Sequence, residues 1–167
     1  MKFKVSIEVS AGGNVKYETD EEGKLKVDRF LHTAIVFPGN YGQIEGTLGK
    51  DGDPLDVLIL SEMPVEPGVV MECQPLGLLE MKDERGVDTK VIAVPILEID
   101  PVYGKYDNIN DIPQAISKEI VHFFKNYKSL EPGKWVKTGE YKPRSEAEKL
   151  IKEANDAFLK NTGQEDH

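Results

Sequence analysis

The hydrophobic pattern of this chain changes period partway along, and that change limits the architectures open to it. Up to residue 95 apolar and polar residues alternate in short runs, whereas beyond Asn110 apolar residues recur every three or four positions. Alternation places side chains on opposite faces of a strand, and the longer period marks one face of a helix. The runs are Phe3–Val9, Val15–Thr19, Lys24–Phe30, Val57–Leu60, Val69–Met81 with an interruption near Pro75 and Gly77, and Lys90–Val94. Turn chemistry separates them, at Ala11–Asn14 and Asp20–Gly23 for example, so the second and third runs read as a hairpin. The apolar run Thr33–Phe37 ends in Pro38-Gly39-Asn40-Tyr41-Gly42, which reads as a loop leaving the sheet.

The remainder is helical. Asn110 or Asp111 caps a helix with Pro113 in its first turn and Ile116, Ile120, Phe123 and Tyr127 on its buried face, and Pro132-Gly133 stops it. A short segment Lys134–Lys137 follows. Ser145 and Glu148 form a capping box for a last helix with the stripe Ala147, Leu150, Ile151, Ala154 and Phe158. Strands followed by helices predict an α+β fold, and a closed or partly closed barrel removes the open edges of so small a sheet. At 167 residues one domain is expected, spanning 1–160, with 161–167 a loose tail. Cys73 alone permits no internal disulfide and reads as a buried filler. No long apolar run follows the first residues, so a soluble cytoplasmic protein with no membrane partner is expected. The net charge of -9 argues against a nucleic-acid surface.

Two acidic clusters stand at strand ends. Asp51-Gly52-Asp53-Pro54-Leu55-Asp56 sets three carboxylates in a turn before a buried strand, and Asp83-Glu84-Arg85-Gly86-Val87-Asp88 forms a hairpin tip. Crowded carboxylates stay ionised most easily around a cation, and oxygen-only ligands select Mg²⁺, Mn²⁺ or Ca²⁺ over Zn²⁺. Taken alone, the first cluster reads equally as a solvated acidic turn, and the second reads as an ordinary charged hairpin tip. An EF-hand loop fails, because the position requiring glycine holds Asp56. Lys16 and Glu18, two apart on one strand, are either a solvent-facing pair or two groups aimed into one cavity.

Asp51–Leu58, with Val27-Asp28-Arg29-Phe30 and Pro38–Gly42 before it, resembles the signature region of family I soluble inorganic pyrophosphatases. The resemblance continues through Asp83 to Lys90, Val94-Pro95, His122–Lys128 and Gly133-Lys134-Trp135, and so runs collinearly from Ile7-Glu8 to Trp135. It implies a five-stranded OB-like barrel with two flanking C-terminal helices, hydrolysing pyrophosphate to two phosphates with Mg²⁺, and with Mn²⁺ as a possible substitute. It further implies that Asp51, Asp56 and Asp88 hold the activating metal, Asp56 reaching a second. Asp83 and Asp88 would serve ions arriving with substrate, and Glu8 and Glu18 would act directly or through water. Asp53 would be the general base, with Lys16, Arg29, Tyr41, Lys90, Tyr127 and Lys128 as phosphate ligands. Those seven acids against four cations leave -3, to which pyrophosphate adds about -3 to -4, so neutrality asks for about three or four divalent ions. A homo-oligomer, a hexamer, is also implied. Ser10, Phe37 and Gln43-Ile44-Glu45 depart from the usual family pattern, and Glu45 adds an acid near Tyr41.

Overall fold

The computed structural model describes residues 1–165. Nine strands and two long helices follow one another as β1 Phe3–Val9, β2 Val15–Thr19, β3 Leu25–Phe30, β4 Asn40–Ile44, β5 Asp56–Ile59, β6 Val70–Asp83, β7 Gly86–Val87, β8 Lys90–Pro95, α1 Gln114–Asn126, β9 Val136–Pro143 and α2 Arg144–Glu165. Five of the strands close a ring: β1 pairs β4, β4 pairs β5, β5 pairs β8, β8 pairs β6, and β6 returns to β1. The expected α+β barrel with two flanking helices is present, and closure leaves none of these five with an unpaired edge. β2 and β3 form a separate two-stranded sheet, the expected hairpin.

Period 2 sends alternate residues of the central strands into two cores. Val57 and Ile59 of β5, with Val91 and Ala93 of β8, join Val5, Ile7 and Cys73 and receive Ala147 and Ile151 of α2. Leu58, Ile92 and Val94 point the other way and meet Ile120, Phe123 and Phe124 of α1. Pro75 and Gly77 do interrupt β6, as a register shift against β8 rather than a strand end. The close approach of Gly77 to the Lys142 carbonyl and Ile109 leaves no room for a Cβ.

Five expectations need correction. Asn40–Ile44 is a strand, not a loop: Gly42 lets β4 lie against the Ser6 carbonyl of β1, where any side chain would collide. Lys134–Lys137 opens onto β9, an eight-residue strand on β6. α2 starts at Arg144, straight out of β9, so Ser145 lies inside the helix and caps nothing. Glu148 instead pairs with Arg144 at 2.9 Å. α2 also continues through Glu165, into the stretch expected to be loose, while residues 166 and 167 lie outside the described residues. Pro113 precedes α1 as its cap residue, after a short 3-10 turn at Ile109–Asp111. Among the described residues no helix is long and apolar enough to cross a membrane.

Candidate active site

The one parallel pairing in the barrel gathers the charged residues. β5 and β8 run side by side with Val57 beside Val91, so the residues that begin them, Asp56 and Lys90, emerge at the same barrel end. β6 is antiparallel to β8 with Leu79 opposite Lys90, so β6 delivers Asp83 as its last residue to that end. Both acidic clusters thus meet although they are far apart in sequence. The turn before β5 needs Gly52, whose φ of 88° is the left-handed region that glycine favours. Asp51 Oδ1 accepts the Asp53 N–H at 3.0 Å across this turn.

Together these elements line a cavity of about 430 Å³. Its walls include Asp51, Asp53, Asp56, Asp83 and Asp88, together with Lys16, Arg29, Tyr41, Lys90, Tyr127 and Lys128. The structure therefore brings together eleven of the thirteen residues singled out from sequence. Glu8 and Glu18 are not on the wall. Glu8 lies beside it on β1, within electrostatic reach of Lys16, Asp56 and Lys90, and its Oε1 is buried without a hydrogen-bond partner among the described residues. Burial chiefly, with Asp56 and Asp28 adding to it, raises its pKa to about 7. Glu18 pairs with Lys26 across the hairpin at 3.4 Å. The β2–β3 register slips between Lys16 and Tyr17, and Lys16 and Glu18 part company there: Lys16 lines the cavity and Glu18 is the solvent-facing member.

Lys90 is the centre of the arrangement. Its side chain is 2% exposed, and the ammonium donates to Tyr41 Oη at 2.9 Å, Asp56 Oδ2 at 3.0 Å and Asp88 Oδ1 at 3.1 Å. Burial works against its charge, but the Tyr41 oxygen, Asp56 and Asp88 outweigh that and hold its pKa well above the ordinary value. Asp88 is pushed up by burial despite Lys90. Asp83 is held down: burial opposes its charge, and the hydrogen bonds from Lys128 and the Arg85 N–H outweigh it. Lys128 Nζ reaches Asp83 at 2.9 Å and Glu84 at 3.4 Å.

Tyr41 is a buried strand residue and not part of a loop. Burial and Asp56 keep it a neutral phenol, so it accepts from Lys90 and retains its own proton for a bound oxygen. Phe37 packs against Tyr41, Phe123 and Tyr127 at ring separations of 5.1, 4.5 and 6.4 Å, and Phe124 lies beneath Lys90. This aromatic floor, from α1 and the segment leading into β4, fixes Tyr41, Lys90 and Tyr127 relative to one another.

Sequence reasoning missed Gln43, Glu84, Arg85, Glu131 and Lys134, which also line the cavity. Gln43 is reached through its register opposite Asp56. Glu45 accepts from Ser6 Oγ at 2.7 Å and is exposed, so the extra acid is not on the cavity wall. His32 takes no part in it.

Among the described residues no three Asp, Glu, His or Cys groups converge as a ready-made metal cage. Lys90 between Asp56 and Asp88, and Lys128 on Asp83, stand where a cage would need open oxygens. The donor set nevertheless suits a hard cation, being carboxylates alone with the unpartnered Glu8 oxygen behind them. Mg²⁺ in particular is usually held by few carboxylates plus water and phosphate.

Comparison with known proteins agrees with this geometry. The family model described as inorganic pyrophosphatase matches residues 5–159. The inorganic pyrophosphatase of Nanoarchaeum equitans is 50% identical over 160 residues, covering 96% of this chain and 99% of the relative. That of Sulfolobus acidocaldarius is 51% identical over 148 residues, covering 88% and 86%. The solved structure of the Helicobacter pylori inorganic pyrophosphatase superposes with a TM-score of 0.91 at 43% identity, covering 95% of this chain and 94% of that one. The Thermus thermophilus enzyme gives 0.90 at 42%, covering 94% and 91%. Matched along nearly their whole length in both sequence and fold, these proteins share one descent with this chain, which belongs to the inorganic pyrophosphatase family.

Proposed function

We propose that this cavity hydrolyses pyrophosphate to two phosphates, with divalent metal ions as cofactors and Asp53 as the general base. The observation that carries the reading is the interleaving of both charge signs in one cavity: acids to hold cations, and Lys, Arg and Tyr groups to hold phosphate oxygens. A carboxylate pocket alone would repel a polyanion, and a basic pocket alone would not recruit its metal.

Asp51, Asp56 and Asp88 would hold the activating ion, Asp56 also reaching a second, with Asp83 and Asp88 serving ions that come with substrate. Glu8 stands behind this group, and Glu18, off the wall, is left to act through water. About three or four Mg²⁺ ions balance site and substrate charge, with Mn²⁺ the alternative. Bound Mg²⁺ would supply the Lewis acidity that makes water a competent nucleophile at neutral pH.

Asp53 is suited to take the proton because its carboxylate has no ion pair or hydrogen bond among the described residues, whereas Asp56, Asp83 and Asp88 are already engaged by lysines. Lys16, Arg29, Lys90, Lys128, Tyr41 and Tyr127 would orient the two phosphoryl groups and offset charge developing on the leaving phosphate. Residues 1–160 would form the single catalytic domain of a cytoplasmic homo-oligomer, a hexamer by resemblance. The exposed Leu97, Ile99 and Val102 provide apolar surface for such an assembly.

Phosphate release from pyrophosphate in Mg²⁺ tests the reading, comparing wild type with Asp53→Asn. A loss of about a hundredfold or more is expected in the variant. Equal rates would remove Asp53 as base, and no release by wild type in Mg²⁺ or Mn²⁺ would overturn the activity.

A further inference from the structure

Arg29 sits on a wall of the cavity that no barrel strand supplies. It belongs to the β2–β3 hairpin, which pairs only within itself and forms no strand ladder with the barrel. By contrast, the loop after α1 that carries Lys128 is fastened to the β6–β7 tip, through Lys128 to Asp83 at 2.9 Å and through the Trp135 N–H to Glu84 Oε1 at 3.2 Å. Glu131 lies on that loop with its side chain only 10% exposed, and it reaches both ways: Lys134 Nζ at 3.0 Å on its own loop and Arg29 Nη1 at 3.5 Å on the hairpin. Asp28 takes Arg29 Nε at 3.1 Å, so the guanidinium is gripped from two sides, and Nη2 keeps no partner among the described residues.

We propose that Glu131 is a positioning residue, clamping Arg29 and Lys134 across the cavity mouth so that the separate hairpin presents its guanidinium to the substrate in one orientation. This rests on the reading above that Arg29 contacts pyrophosphate. Removing the Glu131 charge has two opposed effects. It frees the long side chains of Arg29 and Lys134, so ordering them must be done at the expense of substrate binding. It also makes the mouth more positive, which by itself draws a polyanion in. Ordering a rotamer-rich side chain on binding weakens affinity by about two- to tenfold, and because two side chains are released the ordering effect prevails.

The test is steady-state kinetics of Glu131→Gln in saturating Mg²⁺, alone and combined with Arg29→Gln, with thermal unfolding as the check on folding. The expected result is a KM for pyrophosphate raised about three- to tenfold with kcat within twofold of wild type, and only the smaller Lys134 share of that rise, about twofold, when Glu131→Gln is added to Arg29→Gln. Glu131→Asp, which keeps the charge on a shorter stem, should recover part of the affinity, and it carries the test if Glu131→Gln does not fold. A KM that falls shows that Glu131 only screens the mouth and overturns the proposal. So does a rise that adds in full to that of Arg29→Gln. If Arg29→Gln itself leaves KM unchanged, the phosphate-ligand role of Arg29 fails, and the positioning role fails with it.

Discussion

Replacing Lys90 with Met keeps most of the stem and removes the ammonium that three oxygens share at about 3 Å. Asp56 and Asp88 are then left facing each other with nothing positive between them. Breaking a buried ion pair by deleting one partner costs about 3–5 kcal/mol. Here the two carboxylates keep 27% and 20% exposure, so water takes up part of the burden and about 2–3 kcal/mol is expected. For a chain of this length each kcal/mol moves the unfolding midpoint by about 2–4 °C, so Lys90→Met should melt about 5–10 °C below wild type in EDTA. Saturating Mg²⁺ should close most of that gap, because the variant has lost the internal cation that competes for Asp56 and Asp88. Thermal unfolding followed by circular dichroism, in EDTA and in MgCl₂, reads both. An equal deficit in the two buffers would refute the reasoning that Lys90 and metal share the same oxygens, and no deficit in EDTA would refute the ion-pair account altogether.

Two further expectations concern the packing around this centre. Burial raises Glu8 from the ordinary 4.5 to about 7, so folding favours its neutral form: the stability is fully present below about pH 4.5 and is lost as pH rises through 7. In metal-free buffer the urea stability of Glu8→Gln should therefore gain on wild type by about 2–3 kcal/mol between pH 5 and pH 8, and a pH-independent difference would contradict the burial effect. Phe124 is fully buried against Tyr41, Phe123 and Tyr127, so Phe124→Ala should cost about 3–5 kcal/mol in urea unfolding, and a cost under about 1 kcal/mol would mean that the aromatic floor is not what holds Lys90 in place.

Strand and helix content was legible where periodicity and burial coincide, as in β1, whose Phe3, Val5, Ile7 and Val9 are all buried. It failed where local and tertiary signals conflict. β4 reads as loop because Pro38, Gly39 and Gly42 punctuate it, yet Gly42 is there so that two strands can approach. β9 has no fully buried residue, so its sequence carries little apolar alternation, and only its pairing with β6 makes it a strand. The site divides in the same way. The acids were visible as clusters because each cluster is contiguous. Most of the cations were assigned by the family resemblance, since neither Lys16 nor Lys128 stands out locally. Glu131 and Lys134 were missed because their part depends on the hairpin that faces them, which no local pattern encodes. Glu84 stands between Asp83 and Arg85 just before the turn glycine Gly86, a charged stretch that reads locally only as a hairpin tip.

The ring of strands closes through β1, which pairs β4 along one edge and β6 along the other, with Val5 opposite Ile44 and Met71 respectively. On the ribosome β1 is made before both its partners, and the second of them emerges only after β2 through β5 have been synthesised. Until then the nascent chain carries an apolar strand with an open edge, able to pair with a neighbouring chain. Closure of the seam is a late, non-local event, so mutations along Val5–Met71 should show themselves in the yield of soluble protein from the cell before they show in the rate of the finished enzyme.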